Sequence, residues 1–254
     1  MNASIGAYGT YSQIVVTVFM LLFGINFNLY YLILLKKFRS VMKSTELRFY
    51  ILLILLSVGV ITWNISSMYA TVGGAVKDSA FEVAAIITTT GYGVTDINLW
   101  PSLSKGILLT LMCFGSCAGS TAGGLKLSRV ILLYKQIARE IKRLLHPRSV
   151  STVSFEGKEV DEPTLKSVSV YFAIYALCII AVFLLVSWEA FGFETNFTAT
   201  ISCFNNIGPL FGTQSTFANY SAFSKLVFSA AMLLGRLEIF PLIIGLSPST
   251  WKNK

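Results

Sequence analysis

Five long apolar runs constrain this chain more than any other feature of its sequence. They cover residues 13–35, 49–69, 106–125, 167–188 and about 226–246. Each approaches the ~20 residues that a helix needs to cross ~30 Å of hydrocarbon. Of the 254 residues 54% are apolar and 13% are charged, whereas soluble domains carry about 25% charged residues. We therefore expect an all-α integral membrane protein. The alternative is a set of buried helices in a soluble protein, which five such runs in one short chain make improbable.

The basic residues lie mainly on one side of this five-span topology. Sixteen of the 20 fall after the first, third and fifth spans: Lys36, Lys37, Arg39, Lys43, Arg48, Lys126, Arg129, Lys135, Arg139, Lys142, Arg143, Arg148, Lys158, Lys166, Lys252 and Lys254. By the positive-inside rule that side, with the C-terminus, is cytoplasmic. The net charge of +8 therefore reflects topology, and we expect no nucleic-acid partner.

Two short segments are typical of backbone presented at membrane depth. One is Thr88-Thr89-Thr90-Gly91-Tyr92-Gly93 and the other is Asn205-Asn206-Ile207-Gly208-Pro209. Each follows a helical run too short to cross a bilayer, at about 79–88 and 196–204. Bare backbone is tolerated there only where protein buries it or a watery cavity meets it, and carbonyl groups aimed into such a cavity replace the hydration shell of a cation. The sequence therefore predicts re-entrant pore loops.

The pattern of span, short helix, loop and span occurs twice. A half-helix ending inside the membrane points its partial negative charge at the centre, which favours a cation. A following glycine allows the left-handed geometry that turns carbonyl groups inward. Thr88 and its neighbours would add hydroxyl oxygens, and Asn205 and Asn206 would brace the second loop. The alternative is a pair of ordinary extracellular turns, since these residue types are common in turns; two instances at matching positions favour the pore.

Two further features interrupt the spans. Gly115, Gly119 and Gly123 recur every four residues, a pattern of close helix packing, but Gly123-Gly124 followed by Lys126 makes a poor continuous helix. Packing and a helix break, which would leave a gating loop, both stay open. Arg236 lies eleven residues after Lys225, so the helical rise places it about 16 Å further into the membrane, near the bilayer centre. A central arginine faces water or a partner, which leaves a pore-lining role and a structural ion pair as alternatives.

Enzymatic and metal chemistry find little support in the residues. Cys113, Cys117, Cys178 and Cys203 all lie in apolar segments, and the single histidine, His146, lies in a basic stretch. A serine hydrolase using Ser116 or Ser120 would need a general base nearby. We expect no enzyme, no catalytic residues and no metal other than K⁺ at the filter.

Together these motifs resemble the Trk/Ktr/HKT superfamily of potassium transporters, in particular the bacterial Trk-type membrane subunit. The resemblance runs through residues 88–92 with Trp100-Pro101, 115–126, the basic helix 135–147, 205–212, Gly235-Arg236-Leu237-Glu238 and 248–251. It implies four membrane–pore–membrane repeats around one pore. Residues 1–45 would then hold the second helix of a preceding repeat and a cytoplasmic loop. The third repeat would occupy 46–150 and the fourth 151–254.

The resemblance also implies roles for individual residues. The filter would be lined by Thr89, Thr90, Gly91 and Tyr92 of the third repeat and by Asn206, Ile207 and Gly208 of the fourth. Gating would involve Gly115, Gly119, Gly123, Gly124, Lys126 and the pore-facing Arg236. Such proteins take up K⁺ across the bacterial cytoplasmic (inner) membrane. They work as a homodimer with a cytosolic nucleotide-binding regulatory subunit, for which the surfaces around 36–48 and 135–148 are plausible docking faces.

Length is the departure from this pattern. Two complete repeats and the end of another leave the first two filter segments absent, and one copy of such a chain does not enclose a fourfold pore. We expect a C-terminal fragment of a longer reading frame or an internally initiated one. A half-transporter that pairs with another half, and an assembly or regulatory membrane subunit without a pore, are the alternatives.

Overall fold

The computed structural model describes residues 4–146, 152–212, 216–237 and 239–246. In these ranges the chain is mainly helical, with short 3₁₀ turns and one small hairpin. The helices are α1 (Thr10–Phe23), α2 (Phe27–Leu34), α3 (Phe38–Lys43), α4 (Thr45–Ile65), α5 (Val72–Ile87), α6 (Ser102–Cys113), α7 (Leu127–Leu145), α8 (Glu162–Val186), α9 (Phe193–Phe204), α10 (Ala222–Arg236) and α11 (Ile239–Leu246).

Two helices are long and apolar enough to cross a membrane within the described ranges. They are α4, extended by a 3₁₀ turn to give Thr45–Met68, and α8. Both present large apolar side chains outward, among them Leu55 of α4 and Leu184 of α8, each 64% exposed. Outward leucines on a long apolar helix are what a lipid-facing surface requires. The predicted spans 49–69 and 167–188 are therefore confirmed as helices.

The predicted first span, residues 13–35, is wrong as a single helix. It forms α1 and α2, which meet at an angle of 90°. The break falls at Gly24, where an added Cβ would collide with the hydroxyl of Tyr50. Asn26 then caps α2 by accepting a hydrogen bond from the backbone N–H of Asn28 at 2.9 Å. Because an asparagine cap satisfies a free N–H at a helix start, two inconspicuous residues suffice to turn the chain.

The predicted spans 106–125 and 226–246 are also not continuous helices. In the first, α6 stops at Cys113 and residues 114–126 are not helical, so of the two alternatives left open for the glycines a helix break is observed, and it begins before Gly115 and not at Gly123-Gly124. In the second, α10 ends at Arg236 and α11 begins at Ile239. Several predicted features lie outside the described residues: Pro147, Arg148, Glu238, residues 248–251, Lys252 and Lys254.

The two short helices, α5 and α9, are packed inside the helical assembly. α5 contacts α1, α4 and α6, and α9 contacts α6, α8 and α10. Both begin earlier than predicted, α5 at Val72 and α9 at Phe193. For α5 the cause is Thr71, whose hydroxyl caps the helix by accepting from the N–H of Gly74. The C-terminal ends of both helices are buried, and the two loops begin there and reach partly exposed positions.

The amphipathic helix α7 carries a small hairpin that the sequence did not predict. Strands β1 (Ser154–Phe155) and β2 (Lys158–Glu159) pair antiparallel. Lys135 of α7 donates to the carbonyl oxygen of Ser154 at 2.7 Å, and Arg139 pairs with Glu162 at the start of α8. These contacts fix the basic helix against the hairpin and the start of α8.

Candidate functional site

The loop after α5, the TTTGYG turn (residues 88–93), leaves the helix through a left-handed residue. Thr89 has a φ of +53°, and its N–H donates to the carbonyl oxygen of Ile86 at 3.0 Å. The N–H groups of Thr90 and Gly91 both donate to the carbonyl oxygen of Ala85, at 2.9 and 3.1 Å. The turn is therefore folded back onto the end of its own helix.

The loop after α9, the NNIGP turn (residues 205–209), repeats this geometry at an offset of 117 residues. Asn206 has a φ of +57° and donates its N–H to the carbonyl oxygen of Cys203 at 3.1 Å. Ile207 donates to the carbonyl oxygen of Ser202 at 2.9 Å, and Gly208 to the hydroxyl of the same serine at 2.9 Å. The repeat inferred from pattern alone is thus present in the backbone.

The two turns lie against each other. A Cβ added to Gly91 would collide with the carbonyl oxygen of Ile207 and lie 3.5 Å from the ring of Pro209. At Gly208, by contrast, an added Cβ would meet open space, although its φ of +115° is one that other residues rarely adopt. A cavity of about 450 Å³ borders this turn and the inner face of α10.

Four carbonyl groups of the two turns have no donor in the described parts of the chain. They are the backbone oxygens of Thr90, Gly91, Ile207 and Gly208. Thr90 and Gly208 are exposed and Gly91 is half-buried, and carbonyl oxygens in a watery cavity can replace the hydration shell of a cation. Four unpaired oxygens on two adjacent turns therefore form a surface suited to a cation that has shed its water.

Several polar side chains of the two turns form hydrogen bonds with other parts of the chain. The hydroxyl of Thr88 donates to the carbonyl oxygen of Ala84 at 2.6 Å. The side chains of Asn205 and Asn206 brace the second loop as foreseen: Asn205 accepts from the hydroxyl of Tyr175 at 3.0 Å. Asn206 donates to the carbonyl oxygen of Met232 at 3.1 Å. The ring of Tyr92 is 44% exposed.

Below the turns, the Gly-rich segment (residues 115–124) forms a closed loop. The N–H of Gly115 donates to the carbonyl oxygen of Leu125 at 2.7 Å, and the N–H of Leu127 donates to that of Ser116 at 3.1 Å. Gly119 and Gly124 have positive φ values of +68° and +71°. Because the segment is not helical, its four-residue spacing of glycines does not serve packing of a continuous helix.

The Gly-rich segment touches both turns. The N–H of Gly123 donates to the hydroxyl of Thr89 at 2.8 Å, and a Cβ on Gly123 would lie 2.7 Å from the carbonyl oxygen of Asn205. Gly235 of α10 is similarly confined, since an added Cβ would collide with the carbonyl oxygen of Phe204. The three segments that the sequence singled out therefore meet at one place.

Two cationic side chains hold the Gly-rich segment. Arg236 donates through Nη1 to the carbonyl oxygen of Thr121 at 3.2 Å, and Lys126 donates to that of Ala122. Arg236, Lys126 and the segment line a second cavity of about 310 Å³. Two positive charges thus lie at the Gly-rich segment, which contacts both turns.

Sequence reasoning missed Glu46 and Glu156. Glu46 is 4% exposed, and its carboxylate accepts from the N–H of Ala118 in the Gly-rich segment at 2.7 Å. Glu156, in the hairpin turn, accepts from the hydroxyl of Ser44 and from the N–H of Glu46, at 3.0 and 3.1 Å. A glutamate in the first turn of a helix is so ordinary that no sequence signal distinguishes Glu46.

Comparison with known proteins assigns the chain to a family. The model of the family described as "TrkH: Cation transport protein" matches residues 1–253. The chain belongs to the TrkH family. It is 36% identical over 259 residues to the Trk system potassium uptake protein TrkG of Escherichia coli (strain K12), covering 99% of this chain and 53% of that protein.

A second relative and a solved structure agree with this assignment. The Trk system potassium uptake protein TrkH of the same strain is 30% identical over 258 residues, with the same coverage. The crystal structure of the potassium transporter TrkH from Vibrio parahaemolyticus superposes with a TM-score of 0.91 at 31% identity, covering 99% of this chain and 55% of that one. The re-entrant units described above thus belong to the TrkH fold. The chain spans about half the length of the curated relatives that it matches.

Proposed function

We propose that this chain supplies two of the filter segments of a pathway for potassium uptake across the bacterial cytoplasmic membrane. In this proposal the backbone oxygens of Thr89, Thr90, Gly91 and Tyr92 and those of Asn206, Ile207 and Gly208 coordinate K⁺. The observation that carries it is the pair of matching turns, in contact with each other, in which the carbonyl groups of Thr90, Gly91, Ile207 and Gly208 find no donor among the described residues. The names of the relatives agree with the choice of ion.

Gating belongs to the Gly-rich segment in this proposal. It lies below the turns, it is not helical, and its carbonyl groups are held by Lys126 and Arg236. A loop held by a few hydrogen bonds opens at lower cost than a continuous helix, because fewer contacts must be broken. Closed, the segment and the two positive charges block a cation below the filter.

The assembly and its orientation follow from the resemblance and the charge map. Residues 46–150 and 151–254 form the third and fourth repeats, and 1–45 the end of a preceding one. The chain works in a homodimer whose basic loops and C-terminus face the cytosol, where a nucleotide-binding regulatory subunit docks. A non-conducting assembly or regulatory subunit is the second candidate.

Replacing Gly208 by serine tests the filter assignment. Serine would meet no steric obstacle but would strain a backbone with a φ of +115°, and so displace the neighbouring carbonyl groups. At a cost of about 1–2 kcal/mol, potassium-over-sodium discrimination should fall roughly five- to thirtyfold, without loss of membrane insertion. The measurement is rubidium and sodium uptake by cells lacking other potassium uptake, expressing the complete assembly.

The matched control is Gly59→Ser. Gly59 lies in α4, where an added Cβ meets nothing within 4 Å and φ is not positive. Its substitution should leave both fluxes unchanged. Unaltered rubidium and sodium fluxes in Gly208→Ser would reject the filter assignment, and absence of flux in the unmodified assembly would favour the non-conducting subunit.

A further inference from the structure

A fully buried carboxylate lies behind the TTTGYG turn and has no part in the proposed filter or gate. Glu82 of α5 is 0% exposed. Its Oε1 accepts a hydrogen bond from the N–H of Val94 at 2.9 Å and a longer one from the N–H of Thr95 at 3.4 Å. These two residues belong to the stretch that leaves the turn toward the outer surface, residues 93–95, here named the outer arm.

The nearby cation does not explain the burial of Glu82. Lys77 pairs with Asp78 at 3.0 Å and donates to Gln13. The second oxygen of Glu82, Oε2, has no hydrogen-bond partner among the residues that the structure describes. Burying a carboxylate is costly unless its oxygens accept hydrogen bonds. Among the described residues, the two hydrogen bonds that Oε1 accepts are the interactions that offset this cost.

The fourth repeat makes the same contact with a different side chain. Thr198 of α9 is 1% exposed, and its hydroxyl accepts from the N–H of Phe211 at 3.2 Å and lies 3.1 Å from the carbonyl oxygen of that residue. Val94 and Phe211 are equivalent, since each lies three residues after the glycine of its turn. Two repeats therefore fix the same backbone N–H from the helix that precedes the turn.

The opposite side of the outer arm is also held. Gly93 donates its N–H to the hydroxyl of Ser4 and accepts from the N–H of Gly6, each at 3.3 Å. The arm thus lies between the N-terminal segment and Glu82. Its position determines where the chain leaves the turn, and hence the direction of the carbonyl groups just before it.

We propose that Glu82 and Thr198 are positioning residues that hold the outer arms of the two turns and thereby set the spacing of the filter carbonyl groups. The oxygen that accepts the Val94 N–H is the essential atom, and the negative charge is not. This inference rests on the proposed filter function, because the consequence for ions follows only if the turns bind them.

Paired substitutions separate hydrogen-bond acceptance from charge and from packing. Glu82→Gln keeps an acceptor oxygen and removes the charge, whereas Glu82→Leu keeps the bulk and removes the acceptor. Thr198→Ser and Thr198→Val make the same comparison in the fourth repeat. The first readout is amide hydrogen exchange of residues 93–96 and 210–212 in the purified complete assembly, and the second is its rubidium-over-sodium flux ratio.

Loss of the acceptor should raise exchange at Val94 or Phe211 about tenfold. It should also lower the flux ratio by a similar factor, whereas the Gln and Ser variants should stay within about threefold of the unmodified protein. If Glu82→Leu does not assemble, the Thr198 pair provides the same comparison. Unchanged exchange in the Leu and Val variants would overturn the proposal, and so would a Gln variant as impaired as the Leu variant.

The two readouts distinguish failure of this inference from failure of the filter assignment. Exchange at the outer arms reports the hydrogen bonds directly and needs no ion flux. If exchange rises as expected while Gly208→Ser leaves selectivity unchanged, the filter assignment fails and the role in ion selection fails with it. If Gly208→Ser lowers selectivity and exchange does not respond, only the positioning role is rejected.

Discussion

At the scale of single residues, one hydrogen bond links the charge on α10 to the Gly-rich segment. Arg236 binds the carbonyl oxygen of Thr121, and Lys126 binds the next carbonyl group along the chain. The sequence left open whether the deep arginine would line the pore or form an ion pair. In the structure its described contact is a backbone oxygen of the proposed gate.

Replacing Arg236 by alanine should favour the open gate. A hydrogen bond from a charged donor at an exposed position contributes roughly 1 kcal/mol, which corresponds to about a fivefold change in the open-to-closed ratio. We expect rubidium flux to rise several-fold or to change its voltage dependence. Uptake assays and current recordings on the complete assembly provide the measurement.

Arg236→Lys is the matched control, because it keeps the positive charge and a donor. It should lie between the unmodified protein and the alanine variant. Lower protein abundance in the membrane with unchanged flux per molecule would mean that Arg236 is purely structural.

Glu189, which follows α8, accepts hydrogen bonds from residues at the start of α10. This contact predicts how the stability of the fold depends on pH. Hydrogen bonds from Ser221 and Ser224 hold the pKa of this exposed carboxyl below its usual range; the hydroxyl of Ser224 lies 2.6 Å from Oε1. A lowered folded-state pKa stabilises the fold above the unfolded value of about 4.3, and this stabilisation is lost as pH falls through the folded value. The unmodified protein should therefore unfold at a higher temperature than Glu189→Gln at pH 7, and this difference should shrink as the pH falls below the unfolded pKa and through the lowered folded-state pKa.

Thermal unfolding in detergent at several pH values measures this difference. Gln keeps an acceptor for both serines, so only the contribution of the charge is removed. A difference between the two proteins that does not change as the carboxyl group is titrated with acid would show that the charge plays no part.

At the scale of elements, the Gly-rich segment is held by elements that lie far apart in the sequence. The break between α1 and α2 supplies the carbonyl oxygen of Gly24 to the N–H of Cys117 at 3.2 Å, and the N–H of Phe27 donates to the carbonyl oxygen of Gly119 at 3.3 Å. Glu46 at the start of α4 holds Ala118. The hairpin reaches the same place through Glu156, so α7 and the gate are mechanically connected.

Replacing Glu46 by alanine should loosen the Gly-rich segment. The N–H of Ala118 would lose its acceptor, at a cost of roughly 1–3 kcal/mol. Cys117, which is 0% exposed, reports on the opening, so we expect its alkylation by a membrane-permeant maleimide to accelerate by about tenfold, the factor for 1.4 kcal/mol.

Cys203 supplies an internal control for this experiment. It is 5% exposed and lies in α9, away from Glu46, so its labelling rate should not change. Glu46→Gln, which keeps an acceptor, should label Cys117 at nearly the unmodified rate. Equal acceleration at both cysteines would indicate general destabilisation and contradict a specific role for Glu46.

Some of these elements could be predicted from sequence and some could not. The apolar runs of α4 and α8 are long and continuous, so the hydropathy of the sequence was sufficient to predict them. The break at Gly24 escaped because an apolar run with one glycine and one asparagine also fits a continuous helix; the reason for the break is the tertiary contact with Tyr50. The early start of α5 depends on a cap that offsets the poor helix propensity of Gly73 and Gly74.

The candidate site also combines features that could be predicted from sequence with features that could not. Gly91 and Gly208 could be located because their turns require conformations that glycine favours, and the two helices before them repeat. The hydrogen bond by which Glu46 holds the Gly-rich segment could not be predicted. It joins residues 72 positions apart, and no local sequence pattern encodes such a contact.

At the scale of the whole molecule, the chain presents two filter turns side by side and leaves the cavity next to Gly208 open along α10. Carbonyl groups from two repeats make an incomplete ring, since coordination of a dehydrated K⁺ uses rings of such oxygens from four segments. In the proposed function, these unpaired oxygens therefore need further turns, supplied by the complete assembly, to complete the coordination of K⁺.

The most direct test of the account is to locate bound ions in a crystal of the complete assembly grown in rubidium. Anomalous scattering marks Rb⁺, which stands in for K⁺. The account predicts peaks within coordination distance of the backbone oxygens of Thr90, Gly91, Ile207 and Gly208, weakened in the Gly208→Ser variant. Rubidium bound elsewhere, with none at these four oxygens, would contradict the claim that the two turns form the filter.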